Sequence, residues 1–366
     1  MLKFKFLKKI IHLIGITALT ILVFACNQHI KKSNLEPQTD IVTRQNNINT
    51  NYNIDYKNYD IFDISPAKII IPQNQTESQS LSVVVSDGQD NLIVIDGGRV
   101  EDSDYLCEII KDNGGVVSNW YITHIHDDHL GALYDILNKK RTDIVIKEIS
   151  YQFADFNWYY SKMGNDAGVI NLFINAISDY NSYLSSVGKD LVNVEDNILS
   201  YDKMARAYGS KDENDKLLSE IVVYAINENV YELDQDPINN TSIVYYIDID
   251  VKPYNRYPKD LVSMIVFGDL GYEGGKKLFY YTNEFEDGFK RINEADILVL
   301  SHHGQNGIDP ELYKKFSPKV VVWPTSKDIY ENTHGKYYTD DTKKALSEIS
   351  SIEYQIKSYE ETAVIR

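Results

Sequence analysis

Short apolar runs alternate with polar turn residues along most of the chain, a pattern typical of strands joined by tight turns and helices. β-branched residues are common in these runs, and Asp87-Gly88 between two of them is typical of a hairpin turn. The apolar runs predict strands at 67–71, 81–85, 92–95, 116–123, 144–149, 221–225, 242–249, 261–267, 297–300 and 320–323.

Apolar residues at helical spacing predict helices between several of these strands. Asn113-Gly114-Gly115 ends the first of them, because glycine readily adopts the left-handed backbone found at helix C-termini. The predicted helices are 102–112, 130–138, 170–186 and 341–349. Alternating strands and helices favour an α/β fold of two sheets covered by helices. A length of 366 residues accommodates one large sandwich of this kind or two average domains.

The first 25 residues stand apart from this pattern and predict a signal peptide. Four lysines precede an apolar stretch over 10–24, which is shorter than the ~20 residues that a membrane-spanning helix needs. Its end, Val23-Phe24-Ala25-Cys26, resembles a bacterial lipobox, in which the cysteine becomes the lipidated N-terminus after cleavage. We therefore expect a lipoprotein anchored to a membrane outside the cytoplasm through Cys26. Cleavage by an ordinary secretory peptidase, which gives a secreted protein, is the alternative.

The next segment, 26–58, is rich in Asn, Gln, Lys and Thr without apolar periodicity, and predicts a flexible tether. Residues 59–366 are expected to form the folded domain. The alternation fades over about 151–219, where an aromatic cluster and a helical pattern indicate an insertion. The cluster serves either core packing or a lid over a site. Its members are Phe153, Phe156, Trp158, Tyr159 and Tyr160.

The formal net charge of −17 describes a strongly acidic protein, and loss of the leader with its four lysines makes it more acidic. Such a charge repels polyanions and counts against a processive nuclease, because nucleic-acid affinity depends on neutralising phosphates. Apart from Cys26 the only cysteine is Cys107, within the predicted first helix. We therefore expect no intramolecular disulfide in the mature chain, and a buried, small apolar role for Cys107.

The densest group of metal-binding residue types is Thr123-His124-Ile125-His126-Asp127-Asp128-His129, directly after the apolar residues 120–122. His124 and His126 alternate, so both point the same way from an extended segment. Asp128 and His129 follow where the chain enters the predicted helix. Imidazole with carboxylate suits a first-row divalent metal such as Zn²⁺. The motif therefore predicts a metal site rather than two surface histidines.

This His-x-His-x-Asp-His pattern resembles the first motif of the metallo-β-lactamase superfamily. Further stretches follow the order of that family along the chain: 92–98, Asn239-Asn240-Thr241-Ser242, Phe267-Gly268-Asp269 and Ser301-His302-His303-Gly304. The series is most similar to the C-terminal hydrolase domain of the competence protein ComEC and to bacterial phosphorylcholine esterases, over about residues 60–366. The resemblance implies a four-layer αββα sandwich and a metal-dependent hydrolase.

The resemblance also implies ligands for two metal ions. His124 and His126 correspond to ligands of a first ion, and Asp128 and His129 to ligands of a second. Asp269 corresponds to a carboxylate that bridges both ions. Two divalent cations are therefore the expected cofactors, with Zn²⁺ favoured and Mn²⁺ as the alternative.

The last imidazole of the family pattern falls on His302 or His303. Side chains at successive positions after a strand point apart, so only one of the pair is expected to bind metal. His302 is favoured as the ligand and His303 as a contact to the substrate.

One departure from the family concerns the first metal. The lactamase and glyoxalase branches supply a further histidine before the bridging aspartate, whereas no histidine occurs between His129 and His302. Asn239 or Asn240 lies near that point, and Asn240 is expected to contact the substrate. His334 falls where ComEC-like domains have a histidine in a late loop, and is expected to bind substrate phosphate or to protonate a leaving group.

Two cations held close together lower the pKa of a bridging water and make hydroxide available at neutral pH. Asp128 is expected to orient that hydroxide as a catalytic residue. The resemblance thus predicts hydrolysis of a phosphodiester in a small molecule, a cell-envelope polymer or a nucleic acid, and the acidic charge favours small substrates. The alternatives are a carboxylic ester or thioester hydrolase of the same fold, and a non-catalytic lipoprotein that binds a ligand. The sequence indicates no protein partner.

Overall fold

The computed structural model describes residues 52–199, 205–226, 235–251, 261–284 and 294–366, with the side chains of 281–284 excepted. These residues form two stacked sheets with helices on the outer face of each, so the predicted αββα sandwich is confirmed. The predicted signal peptide, Cys26 and most of the tether lie outside the described residues. Within the described ranges, no helix is both long and apolar enough to cross a bilayer.

The strands of the first sheet are β1 Tyr56–Tyr59, β2 Lys68–Ile71, β3 Ser82–Ser86, β4 Leu92–Asp96, β6 Asn119–Tyr121, β8 Glu148–Ser150, β9 Asn193–Glu195 and β17 Thr362–Ile365, and β5 Val116–Val117 and β7 Val145–Ile146 pair separately. The order across the first sheet is β1-β17-β2-β3-β4-β6-β8-β9. β3 and β4 form the predicted antiparallel hairpin, whereas β4, β6, β8 and β9 run parallel.

The strands of the second sheet are β10 Ala205–Lys211, β11 Leu217–Ile226, β12 Val244–Asp250, β13 Leu261–Val266, β14 Ile297–Val299, β15 Val320–Trp323 and β16 Tyr354–Lys357. They lie side by side in sequence order. The first four are antiparallel, and β13 to β16 are parallel. Parallel strands end at the same edge of a sheet, and this property positions the site described below.

The helices are α1 Ser103–Asp112, α2 Asp127–Asn138, α3 Phe156–Met163, α4 Gly168–Ser186, α5 Tyr272–Glu284, α6 Pro310–Tyr313, α7 Lys327–Glu331 and α8 Thr339–Ser347. One apolar core lies between the sheets and contains residues from the inner faces of both. A second core joins the first sheet to α1, α2 and α4. A third joins the second sheet to α5, α6 and α8. Because successive side chains of a strand point to opposite faces, each sheet contributes side chains to two of these cores.

Two boundaries differ from the sequence-based expectation. β1 begins at Tyr56, three residues inside the predicted tether, and pairs in parallel with β17. Tyr52 and Ile54, before it, pack against the second core. These apolar residues are spaced among polar ones, so the segment carries no apolar run that reveals a strand.

The predicted insertion over about 151–219 is also shorter than expected. α3 and α4 stand outside the sheets, but β9 extends the first sheet and β10 begins the second. β10 is an edge strand whose side chains are mostly exposed or half-buried, which explains why it lacks apolar character in the sequence.

Candidate metal centre

Strand ends from both sheets meet at one edge of the sandwich. His124 follows β6 of the first sheet, and Asp269 and His302 follow the parallel strands β13 and β14 of the second. The Ile243 N–H donates a hydrogen bond of 2.9 Å to the Thr123 carbonyl, which fastens the two sheets together beside the motif. Residues far apart in sequence therefore converge because parallel strands end together.

Four buried side chains form one ligand group, here called the second group: Asp128, His129, Asp269 and His303. Each offers a nitrogen or oxygen atom that lies within 4.8 Å of the others. His129 Nε2 is 3.0 Å from Asp269 Oδ1. His303 Nε2 is 3.1 Å from Asp128 Oδ2 and 3.5 Å from Asp269 Oδ1. Two imidazoles and two carboxylates thus enclose a small volume that is almost entirely shielded from solvent.

His124, His126 and Asp269 form another ligand group, here called the first group. His124 Nε2 is 3.0 Å from His126 Nδ1 and 3.8 Å from Asp269 Oδ2. His302 approaches the same oxygen, with its Nε2 3.7 Å from Asp269 Oδ2. One oxygen of Asp269 therefore faces the second group and the other faces the first group, the arrangement needed for a bridging carboxylate.

The backbone of the double histidine explains why both rings reach the site. His302 and His303 both have positive φ angles, 47° and 59°, in the left-handed region. This bend turns the chain back, so the two rings lie on the two sides of Asp269 rather than pointing apart as in an extended strand. His303 is fully buried within the second group, and His302 remains 16% exposed at the open side of the first group. The geometry thus favours the reverse of the predicted roles, with His303 as the ligand and His302 as the group facing the substrate.

Asp96 holds His129 in place, and sequence reasoning did not single it out. Asp96 Oδ2 lies 2.7 Å from His129 Nδ1, so the imidazole donates there and presents Nε2 to the metal group. Thr123 fixes the same carboxylate, donating from its backbone N–H at 2.8 Å and from its hydroxyl at 2.7 Å. Carboxylates behind ligating histidines set the tautomer and orientation of the ring. The sequence feature that could have identified Asp96 is its position at the end of β4, the strand that pairs with β6 before the motif.

Asn239 and Asn240 differ in what they contact. Asn240 Oδ1 accepts hydrogen bonds of 3.1 Å from the backbone N–H groups of Gly271 and Gly274, at the start of α5. Its amide is therefore a structural cap rather than the predicted substrate contact. Asn239 Nδ2 instead lies 3.4 Å from His302 Nε2, and its buried Oδ1 has no hydrogen-bond partner among the described residues.

Burial and neighbouring charges lower the pKa of one site histidine and raise the pKa of two others. Burial and the neighbouring His129 lower the pKa of His124 well below its ordinary value. Burial would lower the pKa of His303 as well, but Asp269 and Asp128 outweigh it and raise this pKa to about 9. Asp269 and Asp96 likewise raise the pKa of His129 well above its ordinary value. The second group therefore attracts positive charge more strongly than the first.

The donor atoms of the second group fit a bound cation. His129 Nε2, Asp269 Oδ1 and His303 Nε2 are all buried without a hydrogen-bond partner among the described residues. Buried polar atoms are nearly always paired, so three such atoms facing one another need a common partner. Two ligand atoms of a tetrahedral zinc ion lie about 3.4 Å apart, close to the separations seen here. Imidazole and carboxylate donors suit Zn²⁺, and the carboxylate share also admits Mn²⁺.

Two further predictions concern residues beside this centre. His334 lies exposed in a turn after α7, and no described contact joins it to the ligand groups. In the aromatic cluster, Tyr159 is fully buried against Ile125 of the metal motif, and its hydroxyl donates to Thr241 Oγ1 at 3.2 Å. Phe153, Phe156 and Trp158 pack partly buried against the same core behind the motif, whereas Tyr160 is 53% exposed.

Comparison with known proteins agrees with this architecture. Residues 75–183 match the Metallo-beta-lactamase superfamily, so this part of the chain resembles a domain of that superfamily. Fold and site together define a metallohydrolase of the metallo-β-lactamase fold. No curated protein matches the chain.

Several solved structures resemble the chain at low identity. The metallo-β-lactamase fold protein YhfI from Bacillus subtilis is 11% identical, covers 80% of this chain and 95% of its own, with a TM-score of 0.39. Unliganded yeast PDE1 is 10% identical, with coverages of 82% and 97% and a TM-score of 0.41. The short form of human tRNase Z is 12% identical, with coverages of 69% and 90% and a TM-score of 0.32.

Proposed function

We propose that this metallohydrolase cleaves phosphodiesters outside the cytoplasm, with two divalent cations at the converging strand ends. The observation that carries the proposal is the position of Asp269, whose two carboxylate oxygens face two separate groups of imidazoles. A carboxylate shared in this way supports a two-ion site, which is suited to displacement at phosphorus.

We assign the first ion to His124, His126 and Asp269, and the second to Asp128, His129, Asp269 and His303. His302 and Asn239 then border the open side of the first group, where a substrate oxygen or a further donor completes it. When bound, two divalent ions would supply Lewis acidity and would lower the pKa of a nearby water. The protein's own side chains orient the attacking water and hold the substrate.

Asp128 is the residue that we propose to orient the attacking water. Its carboxylate is buried, and the contact of Oδ2 with His303 Nε2 holds it beside the second group. Burial by itself would raise the pKa of Asp128, but His303 and His129 lower it, so the carboxylate is ionised at neutral pH in the metal-free protein. Burial of the surrounding residues limits competing water.

A phosphodiester is preferred over the other ester classes on two grounds. The sequence lacks the histidine that the lactamase and glyoxalase branches place before the bridging aspartate. Its motif series most resembles the ComEC-like and phosphorylcholine esterase branch, whose members act on phosphodiesters. The net charge of −17 disfavours long polyanions, so a small molecule or an envelope polymer fits better than DNA.

Hydrolysis of bis-p-nitrophenyl phosphate with added Mn²⁺ or Zn²⁺ tests this function. We expect turnover that requires metal and is abolished in Asp128→Ala and Asp269→Ala, while Asp87→Asn, altered far from the site, keeps it. Turnover that survives both substitutions would refute the mechanism. Cleavage of p-nitrophenyl acetate alone would assign the chain to the carboxylic ester hydrolases, and phosphocholine release without DNA cleavage would identify the substrate branch.

We also propose that Cys26 carries a lipid that anchors the enzyme to a membrane outside the cytoplasm. The basic leader, the short apolar stretch and the Ala25-Cys26 junction support this assignment. Labelling of cells with radioactive palmitate should mark the wild-type protein and not Cys26→Ser. A labelled variant would contradict the anchor, and an unlabelled wild type released into the medium would support secretion.

A further inference from the structure

Arg99 lies beside the ligand carboxylate of Asp128, and none of the motifs accounts for it. It follows Gly97-Gly98 at the end of β4, where the chain passes the first turn of α2. The loop is pressed onto this turn, because a Cβ at Gly131 would lie 2.8 Å from the backbone nitrogen of Val100 and 3.0 Å from Cα of Arg99. The backbone therefore fixes the origin of the Arg99 side chain.

The guanidinium of Arg99 is also fixed, but only on one side. Nε donates to the Gln79 carbonyl at 3.0 Å, and Nη1 donates to Asp127 Oδ2 at 2.6 Å. Nη2 lies 3.6 Å from Asp128 Oδ2, beyond hydrogen-bond distance, and forms no hydrogen bond with another described residue. An arginine has five N–H donors, so the Nη2 edge keeps free donors beside the metal centre.

The distance from this edge to the ligand groups is short. Asp128 Oδ2 is the atom that contacts both His303 Nε2, at 3.1 Å, and Arg99 Nη2, at 3.6 Å. One carboxylate oxygen therefore separates the guanidinium from a ligating imidazole. The side chain of Arg99 is 20% exposed, so it is not sealed inside the core.

A simpler explanation for Arg99 is that its ion pair with Asp127 stabilises the first turn of α2. This ion pair contributes little free energy, however. Asp127 is 58% exposed, and ion pairs at such positions contribute about 0–1 kcal/mol. A cation beside the ligands of another cation also weakens metal retention by repulsion. A positive charge in this place is useful when an anion occupies the site together with the metals.

We infer that Arg99 is a specificity-determining residue whose Nη2 edge binds a non-bridging oxygen of an anionic phosphoryl substrate. The inference rests on the proposed phosphodiesterase function and deepens it. The planar guanidinium matches the geometry of phosphate oxygens, and such charge-assisted hydrogen bonds are among the stronger ones in proteins. A neutral carboxylic ester presents no comparable charge to Arg99.

Arg99→Gln and Arg99→Lys, with Arg141→Gln as a matched control, test this inference. Arg141 is 17% exposed and also pairs with two carboxylates, those of Asp104 and Asp143, but it follows the opposite end of α2. That helix has 12 residues and is about 18 Å long, so the control alters a similar arginine far from the site. Metal-loaded proteins are titrated calorimetrically with inorganic phosphate, and KM and kcat are measured for bis-p-nitrophenyl phosphate and p-nitrophenyl acetate.

We expect Arg99→Gln to weaken phosphate binding and raise KM for the diester by about 10- to 100-fold, with a smaller change in kcat. Arg99→Lys should recover part of the loss, Arg141→Gln should match the wild type, and metal content should stay unchanged. Phosphate binding within twofold of the wild type in Arg99→Gln would overturn the inference. Loss of metal in that variant would overturn it too, since Arg99 would then act by holding Asp128.

The phosphate titration separates this inference from the proposed function. If the wild type cleaves no diester but binds phosphate in an Arg99-dependent manner, the proposed phosphodiesterase function is refuted and the anion-binding role of Arg99 is retained. If the wild type cleaves diesters and Arg99→Gln binds phosphate as well as the wild type, the function stands and the role of Arg99 is refuted.

Discussion

His129 Nδ1 lies 2.7 Å from Asp96 Oδ2, and this contact determines which ring nitrogen faces the ligand groups. Both residues are fully buried, and Asp96 is the carboxylate that contacts this ring nitrogen. We predict that Asp96→Ala lowers the affinity of the second ion by about 10- to 100-fold, the usual cost of losing a carboxylate behind a ligating histidine. Competition with a chromogenic chelator measures this change.

Asp87 provides the control for that experiment. It is also a fully buried carboxylate, in the turn between β3 and β4, at the opposite end of β4 from Asp96. Asp87→Asn should leave the metal affinity within twofold of the wild type. Equal losses in both variants would mean that Asp96 acts through general stability rather than through His129.

Asp87 itself should make stability depend on pH. Burial alone would raise its pKa, but hydrogen bonds from Ser210, Asn91 and Gln89 outweigh burial and lower it. A lowered folded pKa contributes stability above the unfolded value of about 3.9, and this stability is lost as pH falls through the folded value. Asp87→Asn should therefore reduce the free energy of unfolding by about 1–3 kcal/mol at pH 7, and by less at pH 3.

Urea denaturation at both pH values checks this prediction. Asp143→Asn is the comparison, because hydrogen bonding to Arg141 lowers the pKa of Asp143 to about 2 in a pair that is 40% exposed on the Asp143 side. Screening by solvent should keep its cost below about 1 kcal/mol. A larger loss for Asp143→Asn than for Asp87→Asn would contradict the assignment of the buried network.

Metal binding should release protons at neutral pH. In the metal-free protein the pKa of His303 is raised to about 9, so this imidazole is protonated at pH 7 and must lose its proton to bind a cation. The apparent affinity of the second ion should therefore fall as pH drops below about 9. Calorimetric titrations in buffers of different ionisation enthalpy count the released protons, and binding without proton release would contradict a ligand role for His303.

Gly304 should be irreplaceable after the double histidine. It has a φ angle of 78°, and a Cβ there would overlap the ring of Trp323. We predict that Gly304→Ala costs about 3 kcal/mol or more and displaces His303. Gly335→Ala is the matched control, because Gly335 has a φ angle of 61° with open space around its Cβ position, and should cost about 1 kcal/mol. Thermal melts of the two variants measure the difference.

The layers and the ligand motif were predictable from the sequence because both depend on local pattern. Short apolar runs predicted the buried strands β3, β4 and β12 to β15 within a few residues of their bounds. The spacing of His124, His126, Asp128 and His129 restricts them to one strand end and the helix after it. Strands that carry mixed or exposed side chains, such as β1 and β10, have no such pattern and were missed.

The roles within the site were less predictable because they depend on backbone direction. Nothing in Ser301-His302-His303 reveals two consecutive left-handed residues, and this backbone favours His303 over the predicted His302 as the ligand. Asn239 and Asn240 are identical in type, and only the position of α5 makes Asn240 its cap. Asp96 and Arg99 belong to no ligand motif, and three-dimensional contact alone brings them to His129 and Asp128.

The metal content of the purified protein tests the two-ion centre most directly. Wild type and Asp269→Ala are dialysed against Zn²⁺ or Mn²⁺ and analysed by inductively coupled plasma mass spectrometry, with circular dichroism confirming that both are folded. We predict about two divalent ions per chain in the wild type and at most one in Asp269→Ala. A wild type without bound metal, or a folded Asp269→Ala that retains two ions, would contradict the centre described here.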